Sequence, residues 1–502
     1  MRSLYVLIKI LFSRISVCAV GMMLQIIYLT VLFWTLGTMF SYSYIIFIFI
    51  GIVTALYIIS GDTSPAYKPI WVFTVLSFPI FGCMFYLYYG RKRPRHRKNA
   101  EDEKKTSYNR HAENLIRSDV QAAKQANYIS RCGFNIYENT QTRYFSSGEE
   151  AFPEIMKALQ SSHHFIFLEF FIIEDGVMWD SILRELEKKA SEGVDVRVIY
   201  DDMGSLLTLP RSYRRILEQK KIQCRVFGRV KPYWTSSMNN RDHRKILVCD
   251  GQTAFTGGIN LADEYINLYE KHGYWKDSVI SLDGKAVAGF TEMFIEMWDS
   301  LSDASLPCPE RYLAPVPRTS VGFTAPYCSS PENEELIGEN LYLNMINSAQ
   351  KYLYIATPYL ILDSAMKEAL ILAAKNGLDI RILTPHIPDK KLVFELTRAN
   401  YHPLIKHGIR IYEFTHGFVH AKNFVSDDKI AIVGTVNLDY RSFYLHHECG
   451  VWMYDTDSVS AVRDDLITTM ELSTEVDIHD TDEKNIFRKL LRAILLMLSP
   501  MM

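Results

Sequence analysis

Long apolar runs open the chain, and shorter patterned segments follow. No charged side chain occurs between Ile15 and Gly61, and a further apolar segment runs from Pro69 to Tyr89. A membrane-spanning helix needs about 20 apolar residues, so the first run predicts two helices and the second a third candidate. Residues 1–90 are therefore interpreted as a transmembrane region of two or three helices, because the apolar stretch is too long for a cleaved signal peptide.

A basic cluster directly after the last apolar segment predicts the orientation. Six of the eight residues from Arg91 to Lys98 are Lys or Arg. By the positive-inside rule this end is cytoplasmic, so we expect a multi-pass protein of the cell membrane with the rest of the chain on the cytoplasmic side. Three spans would place Arg2, Lys9 and Arg14 outside, so the number of spans stays open.

After a basic and polar connector at 91–145, apolar residues recur with the periods of strands and helices. Phe165–Ile173 and Gly193–Tyr200 are typical of buried strands, and a helix is predicted between them at Trp179–Ala190. This order is a βαβ unit, which implies parallel strands in an α/β sandwich.

The second half of the chain repeats the unit. A strand is predicted at Tyr352–Leu362, a helix at Met366–Lys375 and a strand at Gly377–Leu383. The fold class is therefore α/β, with two homologous sandwich lobes related by pseudo-two-fold symmetry. The predicted domains are a first lobe at 146–306, a Pro-rich linker at 307–330, a second lobe at 331–480 and an amphipathic helix at 481–502. That last helix fits the membrane interface or packing on a lobe.

The strongest feature is a short motif that occurs twice at identical offsets. In each copy a Lys lies two residues after a His, an Asp seven, a Gly fourteen and an Asn seventeen. The two copies are His243, Lys245, Asp250, Gly257 and Asn260, and His420, Lys422, Asp427, Gly434 and Asn437. One copy could arise by chance, whereas two copies on homologous lobes are a strong signal.

Strand geometry separates the motif residues by role. Side chains two apart on a strand face the same side, so each His and its Lys project into one site. Asp250 and Asp427 lie an odd number of residues further on and start hairpin turns, which favours a structural role. Gly257 and Gly434 would let the backbone approach a ligand. Asn260 and Asn437 could donate an amide N–H to an oxyanion.

Two His, two Lys and two Asn brought together by a pseudo-two-fold axis predict a phosphodiester site. Each Lys would neutralise a non-bridging oxygen, where other enzymes use a metal, so we expect neither metal nor cofactor. One His would attack phosphorus and form a phosphohistidine, and the other would act as general acid and base.

A nucleophilic His needs an orienting carboxylate. Asp277 and Glu448 open apolar strands after the two Asn positions, so we predict that they orient the histidines. Asp263 and Glu264 compete for this role in the first half. The unpaired histidines at 163, 164, 446 and 447 are expected to be structural.

These motifs resemble the HKD motifs of the phospholipase D superfamily, and the chain resembles its bacterial-type cardiolipin synthases. The matching segments include Tyr200–Ser205, Asn240–Lys245, Gly257–Tyr265, Gly417–Lys422 and Asn437–Phe443. The resemblance implies two phospholipase-D-like lobes after a membrane region. It also makes Asp250 and Asp427 members of the catalytic group and adds Thr435, beside Gly434, to the phosphate-binding residues.

The implied reaction transfers a phosphatidyl group from one phosphatidylglycerol to another, giving cardiolipin and glycerol. The family assigns the nucleophile to the first His, here His243, and acid–base work to His420. The expected partners are phosphatidylglycerol and an anionic lipid surface. A net charge of −2 argues against a nucleic-acid partner. The alternatives are a phospholipase D-type hydrolase, a transferase with another alcohol acceptor, and an inactive membrane scaffold.

Overall fold

The computed structural model describes most of the chain and places it in two compact units. The described residues are 20, 22–27, 30–31, 38–61, 67–90, 119–230, 239–302, 305–306, 308–313, 316–333, 335–483 and 485–501. The first unit comprises the described parts of 1–97, 230–239 and 493–502, and the second those of 98–229 and 240–492. The basic cluster at 91–98 lies outside the described residues.

The first unit contains apolar helices around a small core. Its helices are α1 (Thr38–Ser60), α2 (Lys68–Ser77) and α3 (Pro79–Phe85), followed by a π-helical turn at Tyr86–Gly90. Ile58, Val75 and Tyr86 pack together in this core. Within the described residues, no helix combines the length and apolar character needed to cross a bilayer. The transmembrane region therefore remains a prediction.

The second unit contains two large sheets and one two-stranded sheet, and the first large sheet belongs to the amino-terminal lobe. Its strand order is β1-β9-β7-β6-β2-β3-β4, with β2, β3 and β4 parallel and the remaining pairs antiparallel. The strands are β1 (Thr140–Phe145), β2 (Phe165–Phe170), β3 (Asp195–Asp201), β4 (Gln223–Phe227), β6 (Ile246–Cys249), β7 (Thr253–Gly257) and β9 (Val279–Gly284). The helices of this lobe are α5 (Gly148–Ser161), α6 (Val177–Ser191), α7 (Tyr213–Gln219) and α8 (Val287–Ser300). The preceding helix, α4 (Val120–Arg131), contacts the second lobe through hydrogen bonds of Gln125 with Ser348 and Trp452.

The second sheet repeats this arrangement in the carboxyl-terminal lobe, in the order β10-β17-β16-β15-β11-β12-β13-β18. The strands are β10 (Phe323–Ser329), β11 (Tyr352–Ala356), β12 (Asp379–Pro385), β13 (Arg410–Phe414), β15 (Asn423–Ser426), β16 (Ile430–Gly434), β17 (His446–Tyr454) and β18 (Thr474–Glu475). The helices are α9 (Ile337–Ser348), α10 (Ser364–Lys375), α11 (Lys391–Ala399), α12 (Tyr401–Ile405), α13 (Tyr440–Tyr444) and α14 (Asp457–Glu471). The last helix, α15 (Ile486–Leu498), begins in the second unit and ends in the first. Three short strands, β5 (Arg241–Asp242), β8 (Tyr274–Lys276) and β14 (Gly417–Val419), join the lobes.

One apolar core lies between the two sheets. Phe167 on β2, Val425 on β15 and Phe290 on α8 belong to the same buried cluster, to which α14 adds Val462 and Leu466. A second cluster packs the first sheet against α5 and α6. The predicted βαβ units are therefore confirmed, and the lobes form one body rather than two separate folds.

Two edge strands differ from the prediction. β1 lies in the predicted connector 91–145 and pairs with β9, while β10 lies in the predicted linker 307–330 and pairs with β17. Pro326 within β10 favoured a linker in the sequence, but an edge strand tolerates proline, and the outer side of β10 is bridged only at Thr324, by Tyr137, among the described residues. Each lobe therefore extends beyond its predicted boundary.

The carboxyl-terminal helix α15 turns its charged side toward the second lobe. Arg488 and Arg492 both pair with Glu395 on α11, with an Arg492 Nε to Glu395 Oε2 distance of 3.0 Å. The apolar side chains of Ile486 and Phe487 are exposed. The predicted amphipathic helix thus forms, with its apolar side uncovered over residues 486–491.

Candidate active site

Both repeats place their histidine directly before the first strand of a hairpin. His243 and Lys245 precede β6, and His420 and Lys422 precede β15. Since β6 and β15 run antiparallel to β2 and β11, each histidine lies at the carboxyl end of its lobe's parallel strands. Open α/β sheets bind ligands at this edge.

Each of the two histidines is paired with a carboxylate of the other lobe. His243 Nδ1 lies 2.9 and 3.0 Å from the two carboxylate oxygens of Glu448, which belongs to the second lobe. His420 Nδ1 lies 2.7 Å from Asp277 Oδ2, which belongs to the first lobe. The sequence pointed to these two acids but not to the crossed pairing. Neither lobe therefore holds a complete histidine–carboxylate pair of its own.

Two short parallel ribbons explain the crossed pairing. β5 pairs with the start of β17, and the backbone N–H of His243 donates to the His447 carbonyl at 2.9 Å. β8 pairs with β14, and the His420 N–H donates to the Lys276 carbonyl at 2.7 Å. Each ribbon thus fixes the backbone of a histidine beside the strand that carries its partner carboxylate.

The motif glycines allow this close strand packing. A Cβ on Gly257 would lie 2.2 Å from the Ser278 carbonyl oxygen, and one on Gly434 would lie 2.5 Å from the Cys449 carbonyl oxygen. Both contacts are too short for any larger residue. The missing side chains of these glycines therefore make room for the backbone next to Asp277 and Glu448. The groups that lie against the glycines belong to the protein and not to a ligand.

The residue after each glycine adapts the site to its carboxylate. Thr435 Oγ1 donates to Glu448 Oε2 at 2.5 Å. The equivalent Gly258 leaves room for Asp277, because a Cβ there would lie 1.9 Å from Asp277 Oδ1. The predicted phosphate contact of Thr435 is thus replaced, in this structure, by a hydrogen bond that orients the carboxylate.

The two motif lysines are buried and point back to their own histidine. Lys245 Nζ donates to the His243 carbonyl at 2.7 Å, and Lys422 Nζ donates to the His420 carbonyl. Burial lowers the pKa of Lys245 to about 8 and that of Lys422 to about 7. An anion between the lobes would favour the charged form of both ammonium groups.

Burial and positive charge keep both imidazoles neutral. Burial, reinforced by Lys422, lowers the pKa of His420 to about 4. Burial, with Lys245 and other cationic groups acting the same way, lowers the pKa of His243 well below its usual range. A neutral imidazole with one nitrogen on a carboxylate leaves its other nitrogen for chemistry.

The two carboxylates differ in their electrostatics. Burial acts to raise the pKa of Asp277, but the facing His420 and Lys422 outweigh it and the pKa is lowered. Burial raises the pKa of Glu448 well above its usual range, although Lys245 and Thr435 oppose the shift. The ionised Asp277 fixes the proton of His420 on Nδ1, so its Nε2 is an acceptor.

The two motif asparagines contact protein groups. Asn260 Oδ1 accepts from the Ile172 N–H at 3.1 Å, and its Nδ2 donates to the Tyr265 hydroxyl at 2.7 Å. Asn437 Oδ1 is buried and has no hydrogen-bond partner among the described residues. The structure thus occupies the amide of Asn260 and leaves the oxygen of Asn437 available.

The motif aspartates lie at the far end of the strands from the histidines. The Asp250 carboxylate accepts from the backbone N–H groups of His163, His164 and Phe165 at 2.7 to 2.8 Å. Strand β6 separates Asp250 from Lys245, a distance of roughly 16 Å at the usual rise per residue.

Asp427 makes the equivalent contacts with the backbone N–H groups of Gln350, Lys351 and Tyr352 at 2.7 to 3.1 Å. Both aspartates also adopt positive φ angles in their turns, 52° for Asp250 and 57° for Asp427. Their placement in the catalytic group is corrected, because each carboxylate fastens a hairpin turn to the strand beside it.

The competing acids in the first lobe have other partners. Asp263 accepts from the N–H groups of Val177 and Met178 at the start of α6. Glu264 pairs with Lys271 at 3.1 Å. Both acids hold the loop that places Tyr265 against His420, with ring centroids 5.5 Å apart.

The sequence did not anticipate the position of His446. Its ring centroid lies 5.4 Å from that of His243, and its Nδ1 lies 3.5 Å from Glu448 Oε1. Arg441 Nε donates to His446 Nε2 at 3.3 Å, so a neutral ring carries its proton on Nδ1. His446 stands two residues before Glu448, and strand parity was the signal that could have placed it on the same face.

Asp201 lies in the segment Tyr200–Ser205, which matches the family, but the sequence patterns predicted no role for this residue. Its Oδ1 accepts from the N–H groups of Met203 and Gly204 at 2.8 and 2.9 Å, and its Oδ2 accepts from that of Asp242 at 3.0 Å. Asp201 thus joins the loop after β3 to the residue that precedes His243.

The cluster of His243, His446 and Glu448 has a spacing that could hold a metal ion, since its ligand atoms lie within 4.8 Å of one another. However, Lys245 and Arg441 place positive charge on this cluster. The local charge favours an anionic ligand over a cation.

Comparison with known proteins places this geometry in context. A family model described as cardiolipin synthase, PLD-like domain, matches residues 155–298 and 342–469. A cardiolipin synthase of Alkalihalophilus pseudofirmus is 32% identical over 485 residues, which cover 93% of this chain and 95% of the relative. An uncharacterised protein of Streptococcus mutans is 41% identical over 460 residues, covering 89% of this chain and 99% of the relative.

A solved structure shares the fold. The crystal structure of a phosphatidylserine synthase from Haemophilus influenzae has a TM-score of 0.57 and 16% sequence identity, covering 75% of this chain and 98% of that chain. At this identity the likeness concerns the α/β architecture.

Proposed function

Because the chain belongs to the cardiolipin synthase family, we propose that it transfers a phosphatidyl group from one phosphatidylglycerol to the glycerol hydroxyl of a second, giving cardiolipin and glycerol. The observation that carries the proposal is the crossed pairing of His243 with Glu448 and of His420 with Asp277. A second alcohol can replace water as acceptor at such a site.

In the first step, His243 Nε2 attacks phosphorus and forms a P–N bond. The bond between phosphorus and the glycerol oxygen breaks. His420, which takes up a proton when the anionic phosphate binds beside it and favours its charged form, supplies the proton that this leaving oxygen needs. Lys245 and Lys422 stabilise the charge on the non-bridging oxygens. Asp277 stabilises the positive charge that His420 carries before it gives up its proton.

In the second step, His420 takes the proton from the headgroup hydroxyl of a second phosphatidylglycerol. The freed oxygen attacks phosphorus, the P–N bond breaks and His243 returns to its starting state. His420 is again protonated, so the cycle consumes and releases no net proton. The net reaction joins two phosphatidylglycerol molecules into one cardiolipin and releases one glycerol.

We also propose a multi-pass membrane location with the lobes on the cytoplasmic side. The uncharged run from Ile15 to Gly61 and the six basic residues in 91–98 support this topology. Exposed apolar side chains on α1, such as Ile46 and Phe49, are consistent with a lipid surrounding.

Purified full-length protein in phosphatidylglycerol vesicles tests the reaction. With substrate labelled in the glycerol headgroup and acyl chains, we expect cardiolipin and free glycerol in equal amounts. Phosphatidic acid as the sole lipid product would identify a hydrolase instead. Addition of serine or ethanolamine would reveal another acceptor through the corresponding phosphatidyl product.

A further inference from the structure

Two loops beside the histidines expose adjacent apolar side chains. Leu206 and Leu207 follow β3, and the Leu207 side chain is 97% exposed. Leu268 and Tyr269 lie in the loop between β7 and β8, and their side chains are 59% and 60% exposed. Soluble surfaces usually scatter large apolar residues singly, so two exposed pairs on neighbouring loops need an explanation. We call Met203, Leu206, Leu207, Leu268 and Tyr269 the apolar rim.

The loop that carries Leu207 is attached to the His243 side of the site. The Ile173 N–H donates to Ser205 Oγ at 3.1 Å, and Thr208 Oγ1 donates to the Ile173 carbonyl at 2.6 Å. Phe171, two residues earlier on the same segment, packs against His243 with ring centroids 5.1 Å apart. Leu207 therefore projects from the loop at the edge that holds the first histidine.

The loop that carries Leu268 and Tyr269 is attached to the His420 side. Tyr265 lies in this loop and contacts the His420 ring. The Leu268 N–H donates to the Asp263 carbonyl at 3.1 Å, which closes the loop around Tyr265. The two halves of the apolar rim thus belong to the loops that contact the two histidines.

The second lobe adds an apolar surface at its equivalent edge. Glu395 anchors α15 to α11 through Arg488 and Arg492, and Thr397 and Asn400 at the end of α11 bond to the backbone of Leu360. Leu360 bridges to Leu438, the residue after Asn437. The start of α15 is therefore linked through α11 to the segment that contains Leu360.

Charge around the rim is mixed. Arg211 and Arg215 are exposed shortly after Leu207, which suits anionic headgroups. Glu174 and Asp175 lie on the segment next to both loops and oppose this attraction. Apolar burial must therefore supply most of the binding energy, as for an interfacial segment whose apolar side enters the boundary between headgroups and acyl chains.

We propose that the apolar rim docks the lobes on a phospholipid bilayer and inserts beside the mouth of the active site. The inference rests on the proposed function, because the phosphatidyl groups to be transferred lie in that bilayer. Insertion would place both histidines over the headgroup layer. Docking of this kind depends on apolar area and only weakly on salt.

The test compares one full-length variant on two substrates. The double variant Leu207→Ser/Tyr269→Ser should form cardiolipin from vesicles at least tenfold more slowly than the unmodified protein. On short-chain phosphatidylglycerol in detergent micelles, where no bilayer is present, its rate should stay within about twofold of that of the unmodified protein. Leu372→Ser is the matched control. Leu372 is 57% exposed, but it lies near the end of α10, which leads into the amino-terminal end of β12 and so lies away from the strand ends that carry the histidines.

The rate comparison has clear contradicting outcomes. An equal loss on both substrates would show that the rim shapes the site, and an unchanged vesicle rate would show that it does not dock. Either result overturns the proposal. If the unmodified protein makes no cardiolipin from either substrate, the proposed reaction fails, and docking is then judged separately by fluorescence.

For that measurement, a tryptophan is introduced as Leu207→Trp or, as control, Leu372→Trp in full-length protein in vesicles. Brominated acyl chains should quench the added fluorescence at position 207 and not at 372. Quenching of both positions by aqueous acrylamide alone would contradict insertion. Protection of position 207 from both quenchers would place a second copy of the chain on the rim instead, which also overturns the proposal.

Discussion

At the scale of single residues, Asp250 and Asp427 hold backbone rather than substrate. Asp250→Ala should leave three N–H groups at the start of β2 without their acceptor. We expect a loss of about 1–3 kcal/mol in the free energy of unfolding, with kcat near that of the unmodified protein at temperatures where the variant is folded. Thermal unfolding and kcat measured on one preparation check this. A loss of kcat without a loss of stability would return the residue to the catalytic group.

The buried lysines set the alkaline limit expected for activity. Their pKa values are lowered to about 7 for Lys422 and about 8 for Lys245, so both lose their protons as pH rises through this range. Positive charge on the phosphate site is then lost, and kcat/KM, which reports the free enzyme, should fall above pH 7 to 8.

Protonation of the nucleophile His243 should not limit kcat/KM near neutral pH, because its pKa is lowered well below its usual range and that of His420 is about 4 in the free enzyme. The histidines stay neutral in the free enzyme down to that range. A pH profile of kcat/KM with a plateau reaching pH 10 would contradict the account, since it would require lysines with ordinary pKa values.

Residue patterns in the sequence predicted much of the site. The roles of some residues depend on contacts between strands, which these patterns do not show. The repeated offsets identified both His–Lys pairs, and equivalence between the halves identified Asp277 and Glu448. The roles of Gly257 and Thr435 depend on which strand packs against them. The spacing of residues along the chain carries no information on that packing, so roles in ligand binding were predicted for Gly257 and Thr435.

At the scale of elements, one buried ion pair ties β8 of the first lobe to α14 of the second. Lys276 Nζ lies 2.6 and 2.9 Å from the oxygens of Asp465, and both side chains are at least nine-tenths buried. Lys276 also precedes Asp277, so this pair fixes the strand that presents the His420 carboxylate.

Breaking the pair from one side should cost more than removing both partners. Asp465→Leu leaves a buried ammonium group and should destabilise the protein by about 3–5 kcal/mol, whereas Lys276→Met/Asp465→Leu should recover part of the loss. The exposed pair of Arg410 and Glu475 is the control, expected to contribute under about 1 kcal/mol. Denaturant unfolding of the variants measures these values. A double variant no more stable than Asp465→Leu would contradict the assignment.

The hydrophobic pattern was most informative for central elements and least for edges. β2, α6 and β3 formed near their predicted positions because their apolar periods are strong. β1 was missed because it is polar and partly exposed, and β10 was missed because it contains a proline and lies in a Pro-rich stretch. The short ribbons β5–β17 and β8–β14 have no local signature, since each strand forms only against the other lobe.

At the scale of the whole molecule, the two lobes share one site rather than carrying two. Each histidine takes its carboxylate from the other lobe, so the pseudo-two-fold relation is also a chemical dependence. The sequence implied one joint site from the duplicated motif. The exchange of carboxylates required the cross-lobe strand pairing, which only the folded molecule contains.

The most direct measurement of the central claim is detection of a phosphatidyl group on a histidine. Unmodified protein is mixed with acyl-labelled phosphatidylglycerol, quenched during turnover, digested at neutral to alkaline pH and analysed by mass spectrometry. We expect a phosphatidyl adduct on the peptide that contains His243, no adduct in His243→Ala protein, and no cardiolipin formation by the double variant His243→Ala/His420→Ala. Cardiolipin formation by His243→Ala/His420→Ala protein would contradict a site built from the two repeats.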